Sequence, residues 1–555
     1  MYSNKENANI LTALLLSHEV RHIVVCPGSR NAALVHNFSE CPDIICHSIT
    51  DERSAGFFAL GLRQQLSAPV AVCVTSGSAV LNLLPAVAEA TYRHQGIIVI
   101  SADRPAAWIG QMDGQTLPQE GSLGSFAAMC VNVPEPCSDE QRWMCNRLIN
   151  DALMENERAS HPSVHINVQL SEPLFDFTCP ALPSERVIRR FDWNSDMVRS
   201  AVIRKILASK RPLVVIGQLP EYALPDDYLS ELTKRMVVLA EPLSGRIYDL
   251  YYTDQMVASA AGKPEFQPDC VVFIGGNTVS KRLRAFLRTD CAGAFHITVS
   301  EDGSLHDISC HTSMVVEADP GEFVAELNAC VRDSRFDNVA PWRTLREGIA
   351  ARHAAFIPEY SQTLAVKLLE GVVCEEDTVH YANSMSVRLA ALYARHYCWC
   401  NRGLNGIEGS LSTACGAAAA MSSEEDDARL YCVTGDLSFF YDHNALWSAA
   451  LGGNLRIMLL NNGQGGIFKG LRGLGQSPAA DGAVAGKHSA TAGGICASYG
   501  MKYIGASDRK SLERGIASLS SIESDRPVLL EVFTDPAVDQ QVYDDYYSFV
   551  CPKDK

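Results

Sequence analysis

The chain has 555 residues, 47% of them hydrophobic and 20% charged, ordinary proportions for a globular protein with length for about three domains. Its 64 acidic and 47 basic residues leave a net charge of −17. That disfavours nonspecific binding to nucleic acid or to an anionic membrane, both of which need clustered positive charge, but leaves room for small anionic ligands in a locally basic pocket.

Short Val- and Ile-rich runs alternate along the chain with longer stretches of helical periodicity. Runs at 23–26, 70–74, 97–101 and 164–168 predict strands in the first third. Runs at 213–217, 237–240, 271–274 and 295–299 predict them in the middle, and runs at 430–433, 457–460 and 528–532 in the last third. Continuous apolar strands separated by helices predict parallel sheets covered on both faces. The expected fold is α/β, with three doubly wound parallel-sheet domains. A proline-rich, aperiodic stretch at 173–183 and a weaker break at 336–342 divide the chain into 1–178, 185–338 and 345–555.

The longest apolar stretch, 70–90, is interrupted by Thr75, Ser76, Gly77, Ser78 and Asn82 and is too polar to span a membrane. Residues 1–7 lack the charged-then-apolar pattern of a secretion signal. The 19 cysteines are scattered, and several (Cys26, Cys73, Cys270, Cys432) sit inside apolar strands, where a free thiol packs as a small hydrophobe. Cys398-Trp399-Cys400 and the Cys41/Cys46 pair lack the second pair of a zinc site. A reducing, cytoplasmic location is expected.

The most specific signal is a split motif near the C-terminus. One apolar run ends in Gly435-Asp436-Leu437-Ser438, and a second, after a helix-length insert, ends in Asn461-Asn462-Gly463. This pattern places oxygen ligands at the C-terminal ends of two parallel strands, where open α/β sheets bind ligands. Asp and Asn there suit a hard cation such as Mg²⁺, which takes few protein ligands and keeps positions for phosphate oxygens. A metal–diphosphate ligand is expected. Nucleotide-binding alternatives have no support: there is no Gly-x4-Gly-Lys-Ser/Thr, and Gly486-Lys487-His488-Ser489 lacks both the upstream glycine and the right last residue.

Cations recur at predicted strand ends. Ser29 and Arg30 lie in the turn Cys26-Pro27-Gly28-Ser29-Arg30-Asn31, and Arg104 follows Asp103. Lys281 and Arg282 follow Gly275-Gly276, and Arg388 and Arg402 lie in the last segment. A lone surface arginine is ordinarily a solvated charge. Several at strand ends fit a cleft for a substrate with two or more carboxylates, which Arg grips by bidentate forks. Glu52, in Thr50-Asp51-Glu52-Arg53, heads an apolar helix. Taken alone, a carboxylate there stabilises the helix dipole by about 0.3–1 kcal/mol.

The Gly-Asp…Asn-Asn spacing resembles the diphosphate-anchoring signature of thiamine-diphosphate enzymes. A wider set, in order along nearly the whole chain, is more specific. It comprises Cys26 to Arg30, Asp51-Glu52-Arg53, Thr75 to Ala79 with Asn82-Leu83-Leu84-Pro85, Ala102 to Pro105 and Ser280-Lys281-Arg282. It continues through Asn383-Ser384 with Arg388, Asn401-Arg402-Gly403 and Gly435-Asp436-Leu437-Ser438 with Tyr441-Asp442. This set resembles the menaquinone-pathway synthase family that makes 2-succinyl-5-enolpyruvyl-6-hydroxy-3-cyclohexene-1-carboxylate. In that branch Gly-Asp-Leu-Ser replaces the commoner Gly-Asp-Gly.

The resemblance implies a thiamine-diphosphate-binding fold: 1–178 as the pyrimidine-binding domain, 185–338 as a central domain, and 345–555 as the diphosphate and metal domain. It implies Mg²⁺, with Mn²⁺ as an alternative, held by Asp436, Asn462 and the backbone of Gln464, although Gly463-Gln464-Gly465-Gly466 departs from the family's Asn-Gly-Gly pattern. Further cofactor contacts are implied for Ser384, Gly435, Leu437, Ser438, Ile467 and Phe468, and Leu471 is a packing candidate beside them. Glu52 resembles the family glutamate that exchanges a proton with N1′ of the aminopyrimidine, in an apolar setting that raises its pKa. That glutamate acts across a subunit interface, so a homo-oligomer, dimer or tetramer, is implied.

The implied reaction is decarboxylation of 2-oxoglutarate and conjugate addition of the resulting succinyl-semialdehyde carbanion to isochorismate. Arg388 and Arg402 are assigned to substrate carboxylates. Ser29, Arg30, Arg104, Gln115, Lys281 and Arg282 are assigned to the acceptor, and Gln119 also matches a family active-site glutamine. The alternative is another thiamine-diphosphate 2-oxoacid decarboxylase or an acetohydroxyacid synthase-like carboligase, whose monocarboxylate substrate needs fewer arginines.

Overall fold

Eighteen strands among the described residues form three six-stranded sheets. The computed structural model describes all residues except 67, 93, 159, 225, 246–249, 333, 422–427, 449–450, 467–475 and 553–555, and the backbone alone at 65, 226–228 and 481. The chain forms two compact units, Met1–Phe191 with Gly303–Val316, and Asp192–Asp302 with Glu317–Lys555.

The first unit is built on β1 (His22–Val25), β2 (Ile45–Ser48), β3 (Val70–Val74), β4 (Ile98–Asp103), β5 (Met129–Val133) and β6 (Val164–Gln169). They lie in the order β2-β1-β3-β4-β6-β5, with every pair parallel. All five residues of β3 are buried, and their alternation explains the continuous apolar run. Ala71 and Cys73 pack with helices Glu6–Ser17, Ala32–Glu40 and Asp139–Asn156, while Val70, Val72 and Val74 pack with helices Glu52–Leu66 and Leu84–Tyr92. Successive side chains leave a strand on opposite faces, so a sheet covered on both sides needs apolar residues at every position.

The middle strands are β7 (Arg189–Asp192), β8 (Pro212–Ile216), β9 (Val237–Ala240), β10 (Cys270–Ile274), β11 (Phe295–Ser300) and β12 (Thr312–Glu317). In the second unit, β11-β10-β8-β9 run side by side and parallel. The last sheet holds β13 (Thr378–Tyr381), β14 (Cys398–Trp399), β15 (Leu430–Gly435), β16 (Leu455–Asn461), β17 (Lys502–Ala506) and β18 (Val528–Phe533). Its order is β14-β13-β15-β16-β18-β17, all parallel. Counted from its own first strand, this repeats the order of the first sheet. Each therefore has a switch point where neighbouring strands send the chain to opposite edges, β1/β3 in one and β13/β15 in the other. Ligands bind in the crevice outside the strand ends at such points.

All eleven sequence-predicted strands are present, within a residue or two at their ends. The sequence reading missed the edge strands β2, β5, β14 and β17, along with β7, β12 and β13. The two proline-marked breaks also differ from flexible linkers. The 173–183 stretch is irregular but pinned: Tyr2 and Cys179 exchange backbone hydrogen bonds of 2.7 and 3.0 Å, and Phe177 stacks on His36. At 336–342, a helix Val339–Ala355 begins after Asn338. Pro341 falls in its first turn, where a missing N–H is tolerated. Trp342 is only 2% exposed, edge-on to Phe266 and Phe286. Trp342→Ala should therefore destabilise the protein by about 3–5 kcal/mol, read as a lowered thermal unfolding midpoint. An unchanged midpoint would mean that this segment is not part of the core.

Candidate active site

Asp436 follows β15 directly and opens the helix Asp436–Asp442. It is 4% exposed. Its Oδ2 accepts the backbone N–H groups of Asn462 (3.2 Å), Gly463 (2.8 Å) and Gln464 (3.2 Å), and its Oδ1 accepts that of Leu437 (2.7 Å). Three successive amides converge on one oxygen because the chain turns at Gly463, where φ is 76°. A Cβ there would lie 2.9 Å from the His488 carbonyl oxygen. Burial raises the Asp436 carboxyl above the usual range, against the pull of these N–H groups and of His488, whose Nε2 is 3.5 Å away.

The surrounding atoms fit a metal–diphosphate. Asn462 Nδ2 donates to Asp539 Oδ2 (2.9 Å), and Asp539 is held in turn by Thr534 Oγ1 (2.7 Å) and the Gln362 N–H (2.8 Å). This fixes the amide and leaves Asn462 Oδ1 without a hydrogen-bond partner among the described residues, as a hard cation requires. Gln464 Nε2 and His488 Nε2 are buried without a hydrogen-bond acceptor. Buried donors are normally satisfied, and both suit an anionic oxygen.

Ser384 links β13 to the helix Met385–Tyr393 at φ 73° and ψ −127°, a region costly to residues other than glycine and found at functional sites. Ser438 Oγ donates to the Ile407 carbonyl. Gly435 has open space where a Cβ would project, and the Leu437 methyls lie 3.5 Å from where a Gly486 Cβ would sit. Ile467, Phe468 and Leu471 lie outside the described residues.

Lys281, Arg282 and Arg388 meet around one cavity of about 410 Å³ in the second unit. Arg282 donates to Asp254 Oδ2 (2.7 Å) and lies 3.9 Å over the ring of Tyr547. Asp254 also accepts the hydroxyls of Ser280 and Tyr547. Fully buried Glu241 accepts the Val279 and Ser280 N–H groups (2.6 and 2.7 Å), which fixes the turn carrying the cations, and burial pushes its carboxyl up to about 7. Lys281 and Arg388 have no acidic partner among the described residues. Arg402 does not line this cavity. It is 8% exposed, and its two terminal nitrogens donate to Asn383 Oδ1 (3.0 Å) and the Thr278 carbonyl (2.9 Å).

In the first unit, Glu52 is the half-buried first residue of its helix, and its Oε2 accepts from Asn82 Nδ2 (3.1 Å). Glu52 is itself only half-buried, so the apolar enclosure expected around it is incomplete within this unit; Phe57 and Phe58 on the same helix are 43% and 42% exposed. Ser29 is exposed. Arg30 is buried, donating to the Leu170 carbonyl (3.0 Å) and pairing with Glu172 (3.0 Å). Arg104 Nη1 is 4.0 Å from Asp113. The two glutamines part company: Gln115 is exposed, at φ 56°, whereas Gln119 is buried.

Sequence reasoning missed His488, Asp539, Glu241, Asp254 and the tyrosines of the C-terminal helix Pro536–Val550. The pair Tyr543 and Tyr547 carried a signal, since an i, i+4 spacing puts both on one helix face.

Comparison with known proteins accords with this geometry. Residues 5–123 match the N-terminal TPP binding domain of thiamine pyrophosphate enzymes, and residues 382–532 match the C-terminal one. Both sheets with the repeated strand order thus fall in the class of thiamine pyrophosphate enzymes. The 2-succinyl-5-enolpyruvyl-6-hydroxy-3-cyclohexene-1-carboxylate synthase of Phocaeicola vulgatus is 42% identical, over 99% of each chain. The protein of that name from Bacteroides fragilis is 41% identical over 99% of each chain, and that from Desulfotalea psychrophila 34% identical over 96% of this chain and 99% of its own. The chain belongs to the family of these synthases.

Two outcomes follow from this geometry. Gly463→Ala forces a Cβ into a left-handed turn, at a cost of about 1–3 kcal/mol. It should weaken thiamine diphosphate binding, measured by calorimetry with Mg²⁺ present, by about 5- to 150-fold; native affinity would mean that the turn does not shape the site. Arg388→Ala should raise KM for the dicarboxylate substrate with little change in unfolding temperature. Arg402→Ala removes the guanidinium donors to Asn383 Oδ1 and the Thr278 carbonyl, at about 1–3 kcal/mol for a buried acceptor left unsatisfied, and should lower the unfolding temperature. The reverse pattern would exchange their roles.

Proposed function

We propose that the chain decarboxylates 2-oxoglutarate and adds the resulting four-carbon unit to isochorismate, forming 2-succinyl-5-enolpyruvyl-6-hydroxy-3-cyclohexene-1-carboxylate for menaquinone biosynthesis. The Asp436 cradle carries this reading, in a chain that aligns end to end with synthases of that name. Bound thiamine diphosphate supplies the electron sink for decarboxylation and the nucleophilic carbon for the new bond.

The protein's own groups do the rest. Asp436, Asn462 Oδ1 and the Gln464 carbonyl would hold Mg²⁺, or Mn²⁺ in its place, and Gln464 Nε2 and His488 would donate to the diphosphate. Glu52 exchanges a proton with N1′ of the aminopyrimidine. Lys281 and Arg388 take substrate carboxylates, each charge-assisted bond contributing about 1.5–3 kcal/mol. Residues 1–178 bind the pyrimidine and 345–555 the diphosphate, with 185–338 as a central domain lending Lys281 and Arg282. The exposed Phe57 and Phe58 beside Glu52 support a homo-oligomer in which a second copy covers that face. No helix among the described residues is long and apolar enough to cross a membrane, which accords with a cytoplasmic enzyme.

The test is product analysis with thiamine diphosphate, Mg²⁺, isochorismate and either 2-oxoglutarate or pyruvate. The expected result is one carbon dioxide per tricarboxylate product from 2-oxoglutarate. A preference for pyruvate would replace this reading with that of an acetohydroxyacid synthase-like carboligase. Glu52→Gln should bind cofactor normally but turn over about 100-fold or more slower; near-native turnover would remove Glu52 from the proton path.

A further inference from the structure

The Val- and Ile-rich core of the first unit is interrupted by buried polar side chains where β4, β5 and β6 end. Ser101 Oγ bonds His165 Nε2 and Asn167 Oδ1, both at 2.7 Å. Asn167 Nδ2 donates to Asp103 Oδ2 (2.9 Å) and Asn132 Oδ1 (3.0 Å). Gln119 Nε2 donates to Asn167 Oδ1 (2.8 Å) and the Ala102 carbonyl (3.1 Å). Ser101, His165, Asn167 and Gln119 are each at most 1% exposed. Buried polar groups are costly unless bonded, and a well-bonded network fixes one arrangement.

The last bond of the network leaves the core. Gln119 Oε1 accepts the Gly77 N–H at 2.6 Å. Gly77 stands at φ 86°, and a Cβ there would meet the Gln115 backbone at 3.1 Å. From this anchored turn runs the short helix Ser78–Asn82. At its end, Asn82 Nδ2 donates to Glu52 Oε2 at 3.1 Å.

We propose that Asn82 is a positioning residue for Glu52 and that the buried Gln119 network serves to hold Asn82 in register. The proposal rests on reading Glu52 as the group that exchanges a proton with the bound cofactor. A carboxylate at the end of three rotatable bonds needs an anchor to present one oxygen in a fixed direction. Asn82 engages Oε2, which leaves Oε1 for the proton transfer. The anchor's own helix is too short to be rigid alone, so its start must be fixed from the core, and Gln119 does this.

Five full-length proteins test the idea: native, Asn82→Ala, Asn82→Gln, Glu52→Gln and the double variant Asn82→Ala/Glu52→Gln. Each is loaded with thiamine diphosphate and Mg²⁺ and followed by deuterium exchange of the cofactor's C2 proton, with calorimetric cofactor affinity and KM for 2-oxoglutarate as second readouts. Asn82→Ala should slow exchange about tenfold, equivalent to about 1.4 kcal/mol, with affinity, KM and unfolding temperature unchanged. Asn82→Gln, which keeps the amide, should recover part of the rate. The double variant should match Glu52→Gln alone.

Native exchange in Asn82→Ala beside slow exchange in Glu52→Gln would overturn the proposal and leave the Glu52 reading standing. Native exchange in Glu52→Gln would remove that reading, and the proposal with it. A double variant slowed by the product of the two single effects would show that Asn82 acts independently of Glu52, and would also overturn it.

Discussion

A carboxylate buried at the end of one strand and gripped by the peptide N–H groups of the next organises the third sheet's ligand site. Asp436 is buried enough for desolvation to push its carboxyl upward. Buried charge is tolerated only when it is paired and fully bonded. Four backbone N–H groups supply part of that compensation, and His488 at 3.5 Å is the nearby protein group that can carry positive charge. The divalent ion proposed above would complete the balance. The same peptide turn that bonds Asp436 carries Asn462 and Gln464, so one backbone conformation, set by Gly463, aligns the acid, the free amide oxygen and the unpartnered donor.

The first and third sheets share one strand order but use its switch point differently. In the third sheet, the turn after β15 carries the acid itself, and the neighbouring strand supplies the N–H groups. In the first, the equivalent turn after β3 carries Gly77, and a side chain, Gln119, caps its N–H from the core. The acid of that unit, Glu52, heads a helix after the edge strand β2 and reaches the switch point through Asn82. One acid is rigid because the backbone surrounds it. The other, Glu52, is half-buried and is held by one side-chain hydrogen bond among the described residues, from Asn82.

What could be read from residues alone follows the same logic. Most central strands were legible because burial on both faces demands apolar runs, as in β3, whose residues are all buried; the short interior strand β13 (Thr-Val-His-Tyr), which mixes polar with apolar, was not. The edge strands β2 (Ile-Cys-His-Ser) and β17 (Lys-Tyr-Ile-Gly-Ala) have largely exposed or half-exposed residues and mix polar with apolar. The Gly-Asp and Asn-Asn halves were legible because strand ends bring them together without side-chain detail. The fate of each arginine was not, because it depends on partners far along the chain. Arg402 looks in sequence like Arg388, yet its nitrogens are taken by Asn383 and Thr278. Trp342 beside Pro341 reads as a break until Phe266 and Phe286, distant in sequence, enclose it.

Those partners decide which charges face a substrate. Arg282 is paired with Asp254, and Arg30 with Glu172. Glu241 lies at the cavity wall, but its carboxyl is pushed up to about 7 and its oxygens accept peptide N–H groups. Asp544 at the rim is exposed and accepts from Gln540. Lys281 and Arg388 remain, among the described residues, as cations without an acidic partner on a cavity of about 410 Å³. Filling such a cavity with a monocarboxylate would strip water from two cations and neutralise one. A dicarboxylate neutralises both, and the half-buried Arg388, screened less by water than the exposed Lys281, loses more when left unpaired. On the proposed reading, selectivity for a doubly charged substrate would come as much from the penalty on the wrong ligand as from attraction to the right one, and a protein carrying a net charge of −17 would achieve it with two unspent cations.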